Sequence, residues 1–282
     1  MQRLVFVILG LILAGTIAFS VVDSRKGPPA AHGGQTSDRL TDAMKRRLVE
    51  RPMTFVKRGD LAGGQRQFEV EYATMLERKG ERSITPGDML TAFGVGLWVE
   101  DHQVEAVPYF RRAVAAYRIS TPDSPDVALA LNTVADAVYT DDNAPPPAEA
   151  LAAMREALKI RRATLGLHDG ETAVTYVRLG KLNGHPVNTE GVEARVEAAA
   201  QQVRYGISLL PHCPNADPAD LSVAYVTLAK IYARNGHTRQ TIAVIEAARD
   251  RYHNGHIQEL TDLLAAGGDP EGAVAFKDRF FQ

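Results

Sequence analysis

Apolar residues recur along most of this chain at the three-and-four spacing of a helix, and small residues fall at fixed places within that pattern. The segment 221–252, LSVAYVTLAKIYARNGHTRQTIAVIEAARDRY, shows it best. Tyr225, Leu228, Ala229 and Tyr232 mark one helix, Asn235-Gly236 a turn, and Thr241, Ile245 and Ala248 a second helix. Small residues at Ala229 and Ala248 let two antiparallel helices approach, while Leu228, Tyr232 and Ile245 fill the space between them. The same spacing returns at Gly94, with Leu90, Phe93 and Leu97 around it and Ala106, Phe110 and Ala113 on the partner helix. It returns again at Ala135, with Leu131, Val134 and Val138, then Ala150, Met154 and Ala157; Pro145-Pro146-Pro147 occupy that longer turn because proline cannot continue a helix interior. The most eroded copy has Tyr176, Leu179 and Gly180, a long loop NGHPVNTEG, and then Ala199, Val203 and Gly206, with the weakest pattern in its second helix.

One hairpin of this kind cannot bury its apolar face alone, so the recurrence predicts stacked units over 86–252. Residues 38–85 predict a lead-in hairpin, one helix through LTDAMKRRLVE and one through QRQFEVEYATMLERKG, broken by Pro52 and the Gly59–Gly64 stretch. Residues 253–282 predict a closing hairpin, IQELTDLLAA and AVAFKDRFF around a GGDPEG turn. Both would cap the ends of the stack.

Leu131-Asn132-Thr133-Val134-Ala135, the Ala-x-x-x-apolar-x-x-Ala runs and the SPDVA and GDPEGA connections resemble the tetratricopeptide repeat (TPR) family, in particular the long form of kinesin-light-chain-like bacterial proteins. The resemblance implies an all-α, right-handed superhelical stack of helical hairpins with a binding groove lined by the first helices. Thr241 in place of alanine, Asn183 in place of an aromatic residue and two expanded turns depart from the pattern.

Composition narrows the function. The chain has 282 residues, 32 basic and 34 acidic, for a net charge of −2, which leaves no footprint for nucleic acid. A single cysteine, Cys213, excludes an internal disulfide and a cysteine-based zinc cage. At the amino terminus, Leu4 to Val22 carries no charge and is long enough to cross a bilayer. Residues 1–23 are either an uncleaved membrane anchor, the favoured reading, or a signal cleaved near Ser20. Arg25, Lys26 and Arg39 alone would place the body in the cytoplasm. The short tail before a signal-like run argues instead for a body on the periplasmic side of a bacterial cytoplasmic membrane. Residues 24–37, rich in glycine, proline and small polar residues, form the linker.

Catalytic signatures are missing from the sequence. Gly94-Val95-Gly96 has no third glycine, and neither a GxxxxGK[ST] loop nor a serine-nucleophile motif occurs. His253 and His256 lack the glutamate and spacing of a zinc helix, and read as solvated loop histidines. Asp123, Asp126 and Asp141-Asp142 fit turn and capping chemistry. His212-Cys213 reads as an inert loop thiol, and Trp98 as core packing. No cofactor, no metal and no enzymatic activity are expected.

The groove remains. Residues flanking the small anchor of each first helix would point into it: Arg178 and Lys181, Lys230 and Arg234, with Thr91, Asn132, Asp136 and Tyr139 in the earlier units. Its basic end suits a peptide with acidic side chains or a free carboxylate, although a solvated charged face would look the same. The chain thus reads as a tethered or exported scaffold that binds a protein or peptide and supports an envelope complex. The alternatives are a subunit of a permanent complex and, with less behind it, an envelope hydrolase. Oligomeric state is left open.

Overall fold

The computed structural model describes residues 41–141, 144–186, 191–252 and 254–280. The anchor-or-signal segment and the linker lie outside them. Among the described residues all regular structure is helical, and no helix is long and apolar enough to cross a membrane. The chain divides into two compact units, the first ending at Val138 and the second starting at Tyr139. That division falls inside the second predicted hairpin, so its two helices belong to different units.

The first unit contains α1 (Asp42–Lys57), α2 (Leu61–Lys79), α3 (Thr85–Val99), α4 (Gln103–Ser120) and α5 (Pro125–Val138). α1 pairs with α2 and α3 with α4, and α1 also runs against α3. The lead-in hairpin therefore packs as a repeat does. Its break differs from the sequence expectation: Pro52 lies within α1, Gly63 and Gly64 lie within α2, and the turn is Arg58–Asp60. A Cβ on Gly64 would stand 2.9 Å from the Pro52 carbonyl oxygen and 2.5 Å from Val56 Cγ2, so this glycine serves close helix approach instead of a bend. Phe68 and Phe93 stack with centroids 4.2 Å apart, and Tyr109 meets both edge-on. Gly94 seats the Phe110 ring, which a Cβ would approach to 2.6 Å, and Trp98 is buried beside Phe110. Asp123 adopts φ 53 in the turn before α5, a conformation that aspartate tolerates.

The second unit contains α6 (Ala148–Thr164), α7 (Gly170–Asn183), α8 (Val192–Leu209), α9 (Pro218–Arg234), α10 (Thr238–Ala247), α11 (Asn254–Ala266) and α12 (Pro270–Phe280). α7 pairs with α8, α9 with α10 and α11 with α12, and α9 also packs on both α7 and α11. The copy with the weakest sequence pattern makes a close crossing. A Cβ on Gly180 would stand 2.9 Å from the Ala199 carbonyl oxygen, and one on Gly206 would stand 2.9 Å from the Ala173 carbonyl oxygen. The two glycines thus admit each other's helix. Thr241 fills its alanine position by turning its hydroxyl back onto the His237 carbonyl at 3.0 Å, which satisfies the buried oxygen within the helix. Ala248 lies just beyond α10, as its cap residue.

Candidate functional site

The first helices α7, α9 and α11 lie side by side, and their order follows from the hairpin packing. α7 begins on Asp169, whose side chain accepts from the Thr172 amide, and Asn215 ties that cap to the turn before α9 by accepting from the Gly170 amide at 2.9 Å. α9 begins on Asp217 with a reciprocal capping box through Asp220. Behind the layer, the guanidinium of Arg161, 2 % exposed, reaches the Glu171 carboxylate at 2.7 Å and its carbonyl at 3.1 Å, and also bonds Thr175. It joins α6 to α7 at the start of the layer.

Four of the six groove residues expected from the sequence, Arg178, Lys181, Lys230 and Arg234, lie on the adjacent helices α7 and α9 at half-buried positions. Their surroundings are less uniformly basic than the sequence implied. Lys230 Nζ pairs with Glu259 Oε1 of α11 at 2.7 Å. Lys181 Nζ sits 5.9 Å from the Tyr139 ring centroid. Burial pushes the Asp220 carboxyl up, and the charge of Arg178 acts against that rise. The layer therefore mixes cations with an acid and an aromatic ring. Asn132 and Asp136 belong to α5 in the other unit, and Asn132 is only 3 % exposed, which corrects its expected place on an open surface.

Sequence reasoning missed the acidic partners. Glu259 lies in the closing hairpin, which reads from the sequence only as a cap, and its pairing with Lys230 depends on helix packing. It also missed the knot behind α9. There the Tyr232 hydroxyl receives a bond from Arg204 at 2.6 Å and donates to Glu197 at 3.1 Å, and burial raises that phenol to about 12.

The thiol of Cys213 is buried and donates to the Leu209 carbonyl, and burial together with Asp169 raises it away from the thiolate form. Among the described residues no group of histidine, cysteine and acidic side chains is arranged to hold a metal; His253 lies outside those residues.

With this geometry in hand, solved structures give the fold. The crystal structure of kinesin-light-chain TPR-like repeats from Podosopora anserina matches 73 % of this chain and 93 % of its own, at 14 % identity and a TM-score of 0.53. A variant of the same repeats gives 0.54. BtubC (BKLC) from P. vanneervenii matches 85 % of this chain and 92 % of its own, at 18 % identity and a TM-score of 0.52. No protein-family model and no curated protein matches the chain. The fold is TPR-like.

Proposed function

We propose that this chain is a TPR-like scaffold, held at a membrane or exported through its amino-terminal apolar run, which binds a protein or peptide on the layer formed by α7, α9 and α11. The observation that carries this is the row of half-buried cations on two adjacent first helices, in which Lys230 meets an acid, Lys181 a ring and Arg178 the field of Asp220. An acidic segment can exchange with such internal partners, and charge-assisted contacts are stronger than neutral ones. The role in this reading is binding, since the layer offers cations and an aromatic ring as recognition groups. Body placement on the periplasmic side and support of an envelope complex belong to the same reading, resting on the Leu4–Val22 run.

The test is crosslinking and capture from membranes with the full chain, at low and high salt. A partner whose capture falls as salt rises supports the reading, because screening weakens exposed charge contacts. A partner that copurifies in fixed stoichiometry and resists salt would make the chain a permanent subunit.

A further inference from the structure

The first helix of the first unit carries a surface that the groove reading does not use. Between Asp42 and Arg58 the chain holds six cations, Lys45, Arg46, Arg47, Arg51, Lys57 and Arg58, against two acids, Asp42 and Glu50, in a molecule of net charge −2. Packing sorts them. Val49, Pro52, Met53 and Val56 face inward, and Lys45 turns to Asp88 at 2.9 Å. On the opposite side Arg47, Arg51 and Arg58 stand exposed, one to two turns apart. Beside them, on one line of the helix with Arg51, lie Met44 and Phe55, respectively 48 % and 37 % exposed. Cations flanked by exposed apolar side chains on one helix face match the interface between anionic headgroups and acyl chains.

We propose that α1 lies on an anionic lipid surface, with Arg47, Arg51 and Arg58 on the headgroups and Met44 and Phe55 at the acyl boundary. The inference rests on the tether reading above, since it is the chain's own layout that presents this helix to a bilayer. Nineteen residues separate Val22 from Asp42 in the sequence. Among the described residues α1 is thus the helix nearest in sequence to the apolar run. Each cation near such a surface contributes about 1 kcal/mol, so losing two weakens the association about 30-fold, and reversing their charge weakens it further.

The full chain is combined with vesicles of phosphatidylcholine alone and with an equal mixture of phosphatidylcholine and phosphatidylglycerol. Flotation on the neutral vesicles reports the anchor, and amide exchange across residues 42–58 reports α1. The expected result is slower exchange in α1 on the anionic vesicles only, lost at high salt and lost in R47E/R51E, whose exposed positions leave the melting midpoint in place. If the chain fails to float on neutral vesicles, the anchor reading falls. The α1 proposal is then judged separately, by whether flotation on anionic vesicles depends on Arg47 and Arg51. Equal exchange on both vesicle types, or protection indifferent to R47E/R51E, overturns it. Protection by added polyglutamate on neutral vesicles matching that by phosphatidylglycerol also overturns it, in favour of an acidic protein.

Discussion

At the scale of single residues, the same substitution has different consequences at two glycines. A Cβ at Gly180 would meet the Ala199 carbonyl oxygen at 2.9 Å and Val203 Cγ2 at 2.5 Å, in a crossing that cannot widen without moving backbone. A Cβ at Gly96 would meet the Met53 sulfur at 2.6 Å, at the flexible end of a side chain that can swing away. Gly180→Ala should therefore cost about 1–3 kcal/mol, while Gly96→Ala should be near neutral because the gain in helix propensity, roughly 0.5–1 kcal/mol, offsets a small rearrangement. Denaturant midpoints of the two variants check this, and equal losses would place the crossing elsewhere. Asp88 gives a pH signature. Its carboxylate, 3 % exposed, accepts from the Tyr117 hydroxyl at 2.9 Å and pairs with Lys45, yet burial outweighs both and raises its pKa. A carboxyl raised in the folded state binds its proton more tightly folded than unfolded. Its cost is thus fully present at neutral pH and is relieved as pH falls through the raised value. Asp88→Asn carries no such term. Its stability relative to wild type should be most favourable at neutral pH and should decline on acidification, as read by melting midpoints; a gap that stays constant or widens would contradict the assignment.

At the scale of elements, most of the fold was legible because the decisive positions are small residues at helix crossings. Gly94, Gly180 and Ala229 all sit where the spacing put them, in contact with the partner helix or fully buried. Pro52 was misread because a proline signals a break by its missing donor, whereas here the helix continues and the adjacent helix supplies a glycine against its carbonyl. The charges of the layer were half legible. Cations could be assigned to α7 and α9 from periodicity, but the acids that answer them come from neighbouring helices, and pairing across helices depends on packing that the sequence of one helix does not carry. The Lys230–Glu259 pair links α9 to α11 with side chains 24 % and 44 % exposed, so as a surface pair it contributes at most about 1 kcal/mol to stability. Its removal should be felt in binding instead. Glu259→Gln releases Lys230 and should tighten capture of an acidic peptide without lowering the melting midpoint by more than about 4 °C. Weaker capture would show that Glu259 itself holds the partner.

At the scale of the whole molecule, the sequence suggests a stack over 86–252, and the chain groups into two compact units meeting in sequence at Val138 and Tyr139. Residues 140–147, which include three consecutive prolines, lie between two helices, α5 and α6, that fall in different units. The expected groove residues divide accordingly, four in the second unit and Asn132 and Asp136 in the first. In the proposed function, partner binding falls on the second unit, on α7 and α9. The most direct test is capture of the crosslinked partner by the full chain carrying Lys181→Glu and Lys230→Glu together. Loss of capture, with helicity and melting midpoint retained, is the result this account predicts, because repulsion replaces attraction at half-exposed sites. Capture that persists in the doubly reversed chain, at low and at high salt, would contradict it.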